Sequence, residues 1–193
     1  MFARLFATVV AVMLFAPAAF AQVSPYVSHD ALLTADVIRS VNTYTRFTIF
    51  DDINVAVEDG VVTLSGKVTM PYKRDEIGDR IERLNGVRSV NNEIEVLPVS
   101  VYDDQLRRSI ARAIYGNSAF WRYAAMVNPP IHIIVEHGRV TLTGVVGTDV
   151  DRALARSLAT GRGELSLVSE LRTDAEVQEA RRAAANLAQS RIR

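Results

Sequence analysis

The chain has 193 residues, with 22 basic and 22 acidic side chains, three histidines, no cysteine and 49% hydrophobic residues. The absence of cysteine excludes disulfides, thiolate metal sites, a cysteine nucleophile and a lipid-modified N-terminal cysteine. Balanced charge argues against a chain-wide nucleic-acid binder, which needs a basic excess to neutralise phosphates.

Along the chain, Arg4 is the only charged residue before Asp30. It precedes the apolar run Leu5 to Ala16, and Pro17 ends that run. Ala19-Phe20-Ala21 then has the small-x-small form of a cleavage site. Residues 1–21 are therefore expected to be a secretory signal peptide, cleaved after Ala21. The apolar core of twelve residues falls short of the ~18 needed to span a bilayer. Residues 22–29 form a short N-terminal segment, and the mature protein is expected in the periplasm with no lipid anchor.

An internal repeat organises the rest. Ile53 to Val68 (INVAVEDGVVTLSGKV) and Ile131 to Val146 (IHIIVEHGRVTLTGVV) share nine of sixteen positions at an offset of 78. Asp59-Gly60 is a two-residue turn signal, so each segment is expected to be a β-hairpin. That turn sets Val57 opposite Val62, Val55 opposite Leu64 and Ile53 opposite Gly66, all on one apolar face. The second copy pairs Val135/Val140, Ile133/Leu142 and Ile131/Gly144, with His137-Gly138 at the turn.

Flanking segments supply the cover for those faces. Leu33, Val37, Ile38 and Val41 recur at helical spacing upstream of the first hairpin, as do Leu106, Ile110, Ala113 and Ile114 upstream of the second. A helix from about Lys73 to Leu84 follows the first hairpin, stopped by Asn85-Gly86, and Val87 to Val96 reads as a strand. In the second copy a helix from about Val150 to Ala159 precedes a strand from Leu165 to Leu171. The expected fold is α+β: two tandem small αββαβ domains, each a three-stranded sheet with two helices, plus a C-terminal helix. The domains span 30–98 and 101–172, the helix spans 173–193, and the short linker implies that the two units pack together.

These residues resemble the BON domain, a bacterial family named after an osmotically inducible periplasmic protein and nodulation proteins. The first copy carries Val57, Gly60, Val62, Thr63, Leu64 and Gly66, then Gly86, Val87, Val90, Asn92, Ile94 and Val96. The second carries Val135, Gly138, Val140, Thr141, Leu142 and Gly144, but has Gly163-Glu164 for Gly-Val and Ser169 for the asparagine. The resemblance implies an exported, non-enzymatic protein that attaches to phospholipid membrane surfaces and supports envelope integrity under osmotic or other stress. It implies no cofactor and no catalytic residues, and it places lipid contact around the first helix of the second domain. The hairpin residues Gly60, Thr63, Leu64, Gly66, Gly138, Thr141, Leu142 and Gly144 read as structural.

Charge is uneven. Residues 22–99 hold eight basic and twelve acidic side chains, whereas residues 100–193 hold thirteen and ten. The second half is thus the better candidate for an anionic surface. Arg107, Arg108 and Arg112 fall on its first helix, and Phe120, Trp121, Arg122 and Tyr123 follow in a stretch five residues longer than its counterpart. Arginine with tryptophan and tyrosine suits a bilayer interface; the alternative is that Phe120 and Trp121 fill the core and the arginines form a solvated face. The C-terminal segment opens with the capping box Thr173-x-x-Glu176 and carries the weak stripe Val177, Ala180, Ala184 and Leu187. It either docks on the second domain or forms a basic tail touching lipid or a partner.

The histidines, His29, His132 and His137, fall in different elements, so no metal site is expected. Asp51-Asp52, Asp103-Asp104 and Asp149/Asp151 each begin a strand or helix, where capping is the common use. The expected partner is an anionic phospholipid surface or an envelope protein, with no nucleic acid and no small-molecule substrate. The alternative function is a periplasmic protein-binding or chaperone-like module.

Overall fold

The computed structural model describes residues 29–190, so the proposed signal peptide and most of the 22–29 segment lie outside the described residues. The first domain runs α1 (His29–Asn42), β1 (Asp52–Glu58), β2 (Val61–Val68), α2 (Pro71–Glu82) and β3 (Ser89–Val96). Its sheet has the order β1-β2-β3, with β1 antiparallel and β3 parallel to β2. The second domain runs α3 (Val101–Tyr115), a 3-10 turn (Ser118–Phe120), α4 (Trp121–Ala124), β4 (Ile131–Glu136), β5 (Arg139–Val146) and α5 (Asp149–Ala159). It closes with β6 (Ser166–Ser169) and β7 (Arg172–Thr173), both parallel to β5, before α6 (Asp174–Ser190).

Both hairpins have the register that the turn chemistry predicts. Val57 faces Val62, Val55 faces Leu64 and Ile53 faces Gly66, and the second copy repeats all three pairs. The turn residues adopt left-handed backbone, with φ of 49° at Asp59, 78° at Gly60, 50° at His137 and 75° at Gly138. This pair of positive φ values matches the right-handed strand twist. Gly66 and Gly144 are glycine for another reason: a Cβ at either would overlap the backbone oxygen of Asp52 or Pro130 on the neighbouring strand.

The apolar faces are buried as the periodicity requires. In the first domain Val62, Leu64 and Val68 pack against Leu33, Val37, Ile77 and Ile81, all essentially inaccessible to solvent. In the second, Ile131, Ile133, Val140 and Leu142 pack against Leu106, Ile110, Ile114 and Ala155. Each such leucine or isoleucine contributes about 1.5–3 kcal/mol on burial. Ile38 is the exception among the expected core positions. It is 45% exposed, because its neighbours Val37 and Val41 take the sheet-facing stripe of α1.

Two expectations at the C-terminal end are corrected. The strand expected over Leu165 to Leu171 is instead two short pieces, with Leu165 exposed and Leu171 turned into the core. In the first domain, Asn92 at the matching position donates from Nδ2 to the Arg74 carbonyl of α2, tying strand to helix. Ser169 is too short for that reach, and its buried hydroxyl has no partner among the described residues. The docked reading of the C-terminal helix also fails beyond its first turn. The capping box forms reciprocally between Thr173 and Glu176, and Arg152 bonds Glu176. Past the half-buried Val177, the side chains through Leu187 are exposed. Half of the stripe is alanine, which offers little apolar area to bury.

Candidate functional site

The residues repeated in both domains serve the fold. Leu64 and Leu142 are fully buried, and Thr63 and Thr141 sit half-buried on the opposite sheet face. The turns are clamped by an acidic residue in the first turn of each domain's first helix. Asp30 on α1 accepts from the backbone N–H of Asp59 (2.8 Å) and Gly60 (3.1 Å). Asp103 on α3 accepts from His137 (3.0 Å) and Gly138 (2.8 Å) in the same way. The two aspartates are 73 residues apart while the turns are 78 apart. The five inserted residues that follow α3 therefore hid the correspondence.

Of the expected surface residues, three are corrected. Arg107 is only 4% exposed. It is consumed by hydrogen bonds to the Val135 carbonyl and the Asp104 carboxylate, so it cannot meet a partner surface. Phe120 (0% exposed) and Tyr123 (5%) belong to the second core. Arg122 lies over the Tyr123 ring, 4.5 Å from its centroid, and bonds both the Tyr123 hydroxyl and the Asp151 carboxylate. The Tyr123 hydroxyl also accepts from the Gly147 N–H at 2.7 Å, so this group braces the entry to α5.

What remains outward is a smaller set. Arg108 and Arg112, one helical turn apart on α3, are both exposed and have no ion pair among the described residues. Trp121 is 71% exposed on α4, which packs against α3. The corresponding layer of the first domain is different. There α2 exposes Asp75, Glu76, Asp79 and Glu82, with Arg80 among them and Arg83 just past its end. The helices carry part of the charge asymmetry seen in the sequence: α1 and α2 hold six acidic and four basic residues, whereas α3 and α4 hold two and four.

The domains meet through the loop between α1 and β1. Ile49 and Phe50 pack on the second core, and the Ile49 carbonyl accepts from the Ile133 N–H at 2.7 Å on the outer edge of β4. His132 Nδ1 lies 2.5 Å from the Asp51 carbonyl oxygen, and its ring packs on Phe47. Lys67 joins Glu95 (3.0 Å) to Glu136 (2.7 Å) across the junction. Hydrogen bonding first to Glu136 pushes the Lys67 ammonium above its ordinary value. The loop is held from below by Asp51, which is fully buried and accepts from Thr48, Thr69 and Lys73, the last at 2.6 Å. Among the described residues no histidine and carboxylate group is placed to hold a metal ion, and no helix is long and apolar enough to cross a membrane.

With this geometry in view, comparison with known families finds a match to the model of the BON domain over residues 29–98 and 102–166. No curated protein matches the chain. Among solved structures, the C-terminal domain of CdsD, the structural protein of the type III secretion system of Chlamydia trachomatis, is 14% identical with a TM-score of 0.31. That alignment covers 75% of this chain and 66% of the other, just under two thirds of its length. A second CdsD structure is 12% identical with a TM-score of 0.26, covering 76% of this chain and 97% of that one.

Proposed function

We propose that this chain, which belongs to the BON domain family in two tandem copies, is exported to the periplasm and binds anionic phospholipid surfaces peripherally, supporting envelope integrity under osmotic or other stress. The supporting observation is the outward face of the second domain, where Arg108 and Arg112 stand exposed, without an ion pair among the described residues, beside a segment that presents Trp121 to solvent. Guanidinium groups attract anionic headgroups, and an indole ring partitions to the headgroup level. The function is binding rather than catalysis: the polar groups shared by both copies, Asp30 and Asp103, are spent on backbone amides of their own domain. The N-terminal sequence pattern supports export, and a peripheral, reversible association fits a chain without cysteine.

Co-sedimentation with anionic and zwitterionic vesicles across a salt series tests this. Binding is expected to require anionic lipid and to weaken as salt screens the arginines. Each arginine near such a surface contributes about 1 kcal/mol. Arg108→Glu with Arg112→Glu should therefore weaken binding by at least about 30-fold, with the circular dichroism spectrum unchanged. Salt-insensitive binding, or binding to protein clients without lipid, would favour a chaperone-like module instead.

A further inference from the structure

The interface between the two domains is built mainly from the loop before the first hairpin, whereas the longer loop before the second contributes only Asn128, whose Nδ2 donates to the Asn42 carbonyl at 2.7 Å. In the first domain the loop before the hairpin presents Ile49, whose carbonyl caps the free edge of β4 at Ile133 N. At the repeat offset of 78, Ile49 corresponds to Val127 and Thr48 to Met126. Val127 is 98% exposed and Met126 is 48% exposed. No third domain follows within the described residues for this loop to cap, since α6 leads away from the second domain exposed.

The receiving edge is also duplicated. Val55 corresponds to Ile133, and each faces the matching leucine of its hairpin partner, Leu64 or Leu142. In an antiparallel ladder, equivalent register positions point their N–H groups the same way. The Ile133 N–H points outward to Ile49, so the Val55 N–H points outward from β1, an edge of the first sheet with no further strand among the described residues. Asn54 and Ala56, on either side of Val55, are exposed. Pro129 and Pro130 follow the second loop and restrict it to an extended path, where the first loop is held by Asp51.

We propose that the Met126-Val127 loop of one copy docks on the β1 edge of a second copy of this chain, repeating between molecules the contact that joins the two domains within one. The contact is heterologous, so it propagates head to tail instead of closing a two-fold dimer. The occupant follows from continuity with the intramolecular interface: the β1 edge has the register of the edge that Ile49 caps, and among the described residues neither it nor the outward Met126-Val127 tip, anchored behind by Asn128 on the Asn42 carbonyl, meets such a counterpart.

Because the chain has no cysteine, Asn54→Cys combined with Val127→Cys gives an unambiguous probe. Mild oxidation of the full chain is expected to yield a ladder of dimers, trimers and higher species that grows with protein concentration, while each single variant stops at a dimer. In the cysteine-free background, sedimentation velocity should show a mass that rises with concentration, and Val127→Asp should return it to monomer. Val127 is almost wholly exposed, so that substitution leaves the fold intact. A monomer at every concentration, or a ladder no longer than the single variants give, overturns the proposal. Loss of vesicle binding in Val127→Asp with an unchanged monomeric mass also overturns it, and assigns the loop to the lipid surface.

Discussion

The two domains share an apolar register but brace it with unlike polar locks. In the first, the entry to α2 is tied down by Asp51, a buried carboxylate that gathers Thr48, Thr69 and the Lys73 ammonium. In the second, the equivalent place beside α5 is held by Tyr123, whose hydroxyl joins Gly147, Asp151 and Arg122. The acid has moved from the strand side to the helix side, and the cation from the helix to the inserted segment. The difference shows which parts of a duplicated fold are constrained. The hairpin register must survive because every inward residue depends on it, whereas a polar lock needs only its donors and acceptors to balance. It also changes what each domain shows to solvent, since the inserted segment that supplies Tyr123 exposes Trp121 beside it.

The locks can be broken separately, and the first should cost most. Asp51→Ala strands the Lys73 ammonium, whose side chain is 4% exposed, and removes the acceptor for two backbone amides. Removing one partner of such a buried pair costs about 3–5 kcal/mol. Tyr123→Phe strands no buried charge but removes one backbone and two charge-assisted hydrogen bonds, and should cost about 1.5–3 kcal/mol. Urea unfolding midpoints measure both; equal losses would mean that the two locks are energetically interchangeable.

An effect smaller than that of Asp51→Ala is expected at the turn clamps, where no buried ammonium is stranded. Asp103 is 1% exposed and serves a buried amide, whereas Asp30 is half-buried. Asp103→Ala should therefore cost about 2–3 kcal/mol and Asp30→Ala about 1 kcal/mol, by the same urea measurement. If Asp30→Ala cost as much as Asp103→Ala, burial would not be what separates the two clamps.

The smallest effect concerns the start of α6. The Thr173 backbone N–H, followed by Arg152, holds the Glu176 carboxyl below its ordinary value of 4.5. A carboxylate with a depressed folded-state pKa stabilises fully above the unfolded value and loses that contribution as pH falls through the folded one. Acidification below about 4.5 is thus expected to fray α6 while the two sheets persist, read as lost helical ellipticity that Glu176→Gln shows already at neutral pH. An identical acid profile in Glu176→Gln would remove Glu176 from the account.

Much of this fold was legible in the sequence, for identifiable reasons. The turn pairs Asp59-Gly60 and His137-Gly138 demand left-handed backbone, and strand period does the rest, so both registers could be read residue by residue. The candidate surface was less legible. Arg107, Phe120 and Tyr123 sit in sequence beside Arg108, Trp121 and Arg122, and a linear stretch does not reveal which side chains turn inward. Arg107 was the hardest to place, because an arginine is buried only when a carbonyl such as that of Val135 awaits it across 28 residues. The Asp30 and Asp103 clamps were hidden by the insertion, although an acid in the first helical turn of each copy was the available signal.

Trp121 is the only tryptophan in the chain, so its fluorescence reports the proposed membrane face without labelling. Titrating the protein with anionic vesicles should shift its emission to the blue and shield it from an aqueous quencher, with both changes reversed by added salt. Emission and quenching that stay unchanged while the protein co-sediments with those vesicles would contradict the assignment of this face to the lipid surface.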